Sequence, residues 1–335
     1  MNESTSARIN IARIVMIVGI VILHVPPYVP LNEVSGLFES IKAFFAHGVF
    51  RSSVPVLSAI SGYLIIRTID TKSYGKLVTS KIRTLLIPMV TWNLPLLLLM
   101  FFIQLRAGNN AGFSFIAYPF DIMRWLDGLI SLKGLPVNYP LNFLRDVFVL
   151  ALLSPCFYFL LKRFSYTGLV SISLFFWFDF DGDLVIRNQM AINFCCGAIA
   201  ALKSWDLTKL DRYRLHCLVA LVCFSVLIVL VPIENRSYFR VVAPFLIWPL
   251  LSYFEHGKFR DFLVHHSKMS FFIFCAHAPL LIAIDLTYKK VFYIYIPYPL
   301  FWALAPVITV FICYWLYVCG FKYIPNQMKF ALGGR

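Results

Sequence analysis

Acidic residues are scarce in this chain. Asp and Glu together number 16 in 335 residues against 30 Lys and Arg, and charged residues of both signs make up only 14%. Hydrophobic residues reach 60% and the mean hydropathy is +0.78. A soluble domain of this length could not cover so much apolar surface, so the expected solvent is the bilayer. The eight cysteines include no CxxC pair or other metal-ligand spacing, and Cys195 and Cys196 are adjacent. That excludes a disulfide framework or a zinc site as the organising device. Internal repeats, low-complexity linkers and a polar segment of domain size are also missing, so residues 1–335 read as a single integral-membrane domain.

What is present is a series of apolar stretches. A spanning helix takes about 17 to 25 residues, and the candidates are 9–29, 41–66, 84–104, 143–161, 166–179, 188–203, 215–232, 239–254, 268–286 and 299–321. The expected fold is all-α, a polytopic membrane helix bundle of about ten transmembrane helices. The first stretch has no small-residue cleavage site after it and holds an arginine, which predicts a retained helix and not a signal peptide. The segment 105–142 is the longest connection, and its aromatics and prolines predict interfacial structure on the outer side.

A net charge of +14 invites a nucleic-acid reading, but the charges are sorted by loop. Arg67, Lys72, Lys76, Lys81, Arg83, Lys162, Arg163, Lys203, Lys209, Arg212, Arg214, Lys258, Arg260 and Lys268 fall on one side. The opposite loops are poorer in cations and hold Glu33, Glu39, Asp121, Asp127, Asp179, Asp181, Asp183 and Glu234. This is the positive-inside asymmetry, and it predicts both termini in the cytoplasm. The expected surroundings are therefore membrane lipids, with no nucleic acid.

Polar side chains inside the spans carry the functional signal. Eleven positions separate Arg13 from His24, which returns a helix to within roughly 20° of the same face after a rise of about 16 Å. Asn10, Ile17 and Ile20 fall on that stripe too, which predicts that it faces the bundle interior, because an arginine facing lipid is costly. A positive-inside flank and an interfacial histidine before Pro26 and Pro27 would explain the pair without function. The functional reading has Arg13 holding an anion and His24 doing proton chemistry, for which an unperturbed pKa of about 6.5 suits it.

In the second stretch Arg51, Pro55, Ser58 and Gly62 share a helical face with Ser61 beside them. Close packing of helices or approach of an extended ligand would both use such a face. The cations from Arg67 to Arg83 are a solvated loop or a phosphate-gathering mouth. Arg145 and Asp146 sit near an outer end of their span, and His277 lies inside the ninth, as packing residues or functional ones.

Four segments spread along the chain resemble the membrane-bound acyltransferase-three family. They are the Arg13 to His24 spacing, RSSVPVLSAISGYLI with KIRTLLIP, NFLRDVFVLALLSP, and FFIFCAHAPLL. The chain departs from the pattern at Asn10, usually aspartate, at Leu57 and Ser58, usually phenylalanines, at Asn142 for tryptophan, and at Ser80 for the first arginine of RxxR. The resemblance implies a multi-pass protein of the bacterial inner membrane with no permanently bound cofactor. It would move an acetyl or other acyl group from cytoplasmic acyl-CoA to a hydroxyl of an envelope glycan, O-antigen or a related lipid-linked polysaccharide. It assigns His24 to catalysis, Arg13, Arg51, Ser61, Lys81 and Arg83 to acetyl-CoA, and Arg145, Asp146 and His277 to the acceptor. A transporter or flippase of lipid-linked sugars is the alternative, although the paired broken helices of many transporters are missing.

Overall fold

The computed structural model describes residues 3–69, 73–108, 113–231, 233 and 235–334. Lys72 and Glu234, two of the charges behind the topology expectation, lie outside the described residues. Among these residues there is no strand. In lipid the backbone must bond within itself, and helices do so segment by segment.

The chain begins with α1 (Glu3–Leu23), α2 (Gly36–Ala43), α3 (Ser53–Ile69), α4 (Tyr74–Lys81), α5 (Ile87–Ala107) and α6 (Ile122–Ile130). It continues through α7 (Asn142–Trp177), α8 (Asn188–Leu202), α9 (Arg214–Leu230) and α10 (Ser237–Leu250). The last elements are α11 (Gly257–His266), α12 (Ser270–Thr287), α13 (Tyr298–Tyr323) and α14 (Pro325–Ala331). Eight helical stretches among the described residues are long and apolar enough to cross a membrane, and α8 is a shorter apolar helix. The protein is an all-α polytopic membrane bundle.

The helix α7 has two arms. At Ser165 the backbone leaves helical geometry with φ +52° and ψ −123°, and the chain folds back on itself. Phe157 and Phe176 meet edge to face with ring centroids 6.1 Å apart, whereas nineteen residues of straight helix would separate them by roughly 28 Å. Counting both arms of this hairpin, and adding α8, matches the ten expected stretches.

Three boundaries differ from the sequence expectation. The first span ends at Leu23 rather than 29, since Pro26 and Pro27 offer no N–H to continue it. The second is broken: α2 passes through a π turn (Phe44–Gly48) and a 3-10 turn (Val49–Ser52) before α3 begins. The third starts early, since α4 runs through a π turn (Ile82–Leu86) into α5.

Small residues set the tightest packing. A Cβ on Gly62 would lie 1.9 Å from the Phe194 carbonyl oxygen, and one on Gly197 1.9 Å from that of Ala59, so α3 and α8 meet backbone to backbone. Ser58 completes the seam by donating to the Met190 carbonyl at 2.7 Å. Ser58 and Gly62 are therefore packing residues. At the end bearing the termini, Arg8 is buried and donates to Asp211 at 2.7 Å and to Glu255 at 2.6 Å, which ties α1 to the turns before α9 and after α10.

Candidate active site

The helix α1 is the axis of the site. Asn10, Arg13 and Ile17 line a cavity of about 520 Å³ toward the end carrying the termini. Ile20, Leu23 and His24 line a second of about 140 Å³ toward the opposite end. The stripe expected from the sequence thus faces the interior and serves two cavities in series. Phe274 of α12 borders both.

The larger cavity also takes Ser61 from α3, Ser267, Lys268 and Ser270 near the start of α12, and Tyr317 from α13. Arg13 reaches the Asn10 side-chain oxygen only at 3.4 Å, which leaves most of its five donors for a ligand. Lys268 adds a second cation to this mouth. Arg83 is not on the cavity wall; it is exposed, and the backbone of Gly333 and Gly334 lies across it. Neither Lys81 nor Arg51 is on that wall.

At the other cavity His24 meets His277, with Nδ1 of His24 3.0 Å from Nε2 of His277. Hydrogen bonding assigns the tautomers. His277 is fully buried, and its Nδ1 lies 2.8 Å from the Phe274 carbonyl, which can only accept. Its Nδ1 therefore carries the proton, and Nε2 of the neutral ring is an acceptor. His24 then donates from Nδ1, and its Nε2 keeps a bare lone pair. That is the form a general base needs. His277, expected at the acceptor, lies against His24 through this 3.0 Å contact.

The neighbours hold this pair in place. The Tyr139 ring stands edge-on to His24, 5.0 Å between centroids. Its loop is pinned where Asn138 donates to the Cys275 carbonyl at 2.8 Å. Just beyond His24, the buried Lys42 donates to the Pro27 carbonyl at 2.7 Å and Tyr298 donates to that of Pro26 at 2.9 Å.

Arg51, Arg187, Gln189 and Arg240 line the same cavity as His24. Burial pulls Arg187 below the ordinary guanidinium range, opposed in part by the charge of Asp146. Arg145 and Asp146 act one step back. Asp146 is fully buried and accepts from Arg145 at 3.0 Å and from the Ile186 N–H at 3.1 Å. Arg145 also donates to the Leu184 carbonyl at 2.5 Å. The pair fixes the loop that delivers Arg187.

A family model described as an acyltransferase domain, Acyl_transf_3, matches residues 6–318. The chain belongs to the acyltransferase-3 family. A succinoglycan biosynthesis protein, ExoH, of Rhizobium meliloti (strain 1021) is 29% identical to this acyltransferase over 325 residues, covering 92% of this chain and 87% of the relative. No solved structure matches.

In this acyltransferase, sequence reasoning missed Arg187, Arg240 and Lys268 as wall residues. A signal existed for the two arginines. In a chain that sorts its cations to one side, an arginine at the cation-poor end is an exception with a physical cost.

Proposed function

We propose that this membrane acyltransferase takes acyl-CoA from the cytoplasm into the Arg13 cavity and transfers the acyl group beside His24 to a hydroxyl of an envelope or secreted polysaccharide. The observation that carries the proposal is the serial arrangement along α1. A cation-lined cavity of about 520 Å³ and a histidine with a bare Nε2 lie on one helix stripe, with Phe274 as the shared wall. Acyl-CoA has the matching order of parts, phosphates first, then an extended arm, then the thioester. Cation asymmetry supports a cytoplasmic mouth. The succinoglycan biosynthesis relative favours a secreted or envelope polysaccharide as acceptor, with acetyl as the simplest acyl group.

The reaction needs one base and one leaving group. The acceptor hydroxyl oxygen attacks the thioester carbonyl carbon while His24 Nε2 removes its proton. The C–O bond forms, the C–S bond breaks, and the CoA thiolate takes the proton back from His24 as it leaves. His277 keeps His24 in the donating Nδ1 tautomer throughout, the orienting part that a third group plays in a hydrolase triad.

The test is the purified protein in proteoliposomes with radiolabelled acetyl-CoA and a lipid-linked polysaccharide. Label appearing on the polysaccharide, with release of free CoA, is the expected result. Movement of the lipid across the bilayer with the thioester intact would instead make the protein a flippase.

A further inference from the structure

Three guanidinium groups share the cavity beside His24, and they reach it from separate elements. Arg51 comes from the turn before α3, Arg187 from the loop before α8, and Arg240 from α10. Among the described residues none of the three forms an ion pair, and none of their side chains donates a hydrogen bond to protein. The Nε of Arg51 is buried without a partner. The acid nearest in influence, Asp146, is already bound by Arg145. A fourth arginine, Arg236, turns aside to donate to Nδ1 of His47, whose own Nε2 donates to the Val29 carbonyl at 2.9 Å.

Like charges gathered in a poorly solvated cavity repel strongly, and the repulsion is relieved by an opposite charge placed among them. The guanidinium fork matches carboxylate and phosphate oxygens in pairs. We infer that the cavity beside His24 is a built anion site that takes one carboxylate or phosphate group carried by a reactant and holds it while transfer occurs. This inference rests on His24 acting as the base of the proposed transfer, and it specifies which reactants that base is offered. At about 140 Å³ the cavity falls below the roughly 300–1,000 Å³ of pockets for drug-sized ligands. It therefore has room for one compact charged group and not for an oligosaccharide.

Two reactants can bring such a group. One is a dicarboxylic acyl chain whose far carboxylate passes Phe274 from the donor side. The other is an acidic sugar entering from the opposite face. In both cases the anion also offsets the three cations that oppose the positive charge His24 gains when it takes a proton. The anion makes and breaks no bond; the hydroxyl, the thioester carbonyl, the thiolate and the His24 proton balance as before.

The test compares matched ligands on the full-length protein in nanodiscs by calorimetry. The first pair is succinyl-CoA against butyryl-CoA, equal in length and differing in terminal charge. The second is a glucuronate-bearing oligosaccharide against its carboxyl-reduced form. A charged ligand of either pair bound about tenfold tighter or more is expected, in line with hydrogen bonds to a charged group. The pair that discriminates identifies the source. The preference should collapse toward one in Arg187→Gln and Arg240→Gln, and Arg240→Lys should restore part of it, which separates lost charge from lost fold. Discrimination below threefold in both pairs, or a preference untouched by all the substitutions, overturns the anion site. If neither CoA ester binds while the acidic sugar still discriminates, the donor reading fails and the anion site stands.

Discussion

A single arginine at one end of α1 and a cluster of three at the other put the same side chain to opposite uses. Arg8 is nearly saturated: it donates twice to Asp211 at 2.7 Å, to Glu255 at 2.6 and 2.7 Å, and its guanidinium lies 5.4 Å over the Trp248 ring. Arg51, Arg187 and Arg240 gather around a cavity and take no carboxylate partner among the described residues. In a protein this apolar, a charge is placed at a cost everywhere, so the useful distinction is how many of its donors the protein itself occupies. A saturated guanidinium is structural. An open cluster beside a bare imidazole nitrogen is arranged for something that comes and goes.

The largest effect should appear at the open end. His24→Ala is expected to lower transfer about 10²- to 10⁴-fold, the usual contribution of a general base, while acyl-CoA binding measured by calorimetry stays at the parental level. Loss of binding together with transfer would return His24 to a structural role and erase the contrast with Arg8.

The saturated end should answer in stability. Arg8→Leu leaves Asp211 and Glu255 without their partner; both carboxylates are partly exposed, so the cost should fall below the roughly 3–5 kcal/mol of a fully buried pair. Thermal unfolding in detergent should show a lowered midpoint, with transfer per folded molecule unaltered. A variant as stable as the parent would mean that the two carboxylates are better solvated than their partner, and the comparison would lose its structural half.

A smaller effect is expected at His277, which touches His24 and not the reacting atoms. His277→Ala frees the His24 tautomer and ring orientation, and misplacement of a reacting group by about 1 Å costs on the order of 10²-fold. The loss should fall in kcat with KM for acyl-CoA nearly unchanged. An effect as deep as that of His24→Ala, with donor binding intact, would move the base to α12.

The smallest of these effects belongs to Arg13, which stands between the two extremes with one long contact to Asn10. Arg13→Ala should weaken acyl-CoA binding about tenfold, as expected for a charged hydrogen-bond partner of the phosphates. Arg13→Lys should recover only part, since lysine lacks the fork. Unchanged donor affinity would place the phosphates elsewhere along the cavity wall, nearer Lys268.

Much of this was legible in the chain because periodicity constrains one helix at a time. The apolar runs announced the membrane bundle, and steps of three and four along α1 put Asn10, Arg13, Ile17 and Ile20 on the stripe that now lines the two cavities. The fifth run proved to be the return arm of a hairpin. Its reversal turns on Ser165 leaving helical geometry, and the one local mark is Gly168, where a Cβ would lie 2.7 Å from the Leu160 carbonyl oxygen.

Other assignments moved once helices were packed. Gly62 and Ser58 could serve a ligand or a neighbouring helix by spacing alone, and the approach of α8 decides for the helix. Arg51 shares a segment with Ser61, yet the two face different cavities: ten residues of helical rise separate them by about 15 Å and roughly 80° around the axis, and Val54 and Pro55 of α3 stay with Arg51 on the His24 cavity.

Read without a structure, the chain already specifies its apolar solvent, the order of its apolar stretches, and the α1 face that carries Arg13 and His24. Each of these follows from composition and from a period of 3.6 residues within one segment. Helix packing is what brings His277 within 3.0 Å of His24, 253 positions away, and makes Arg51, Arg187 and Arg240 converge on one cavity. Those facts depend on which helix lies against which and at what rotation. Apolar helices in a bilayer choose that through close backbone contact and a few polar bonds, neither of which leaves a period in the chain.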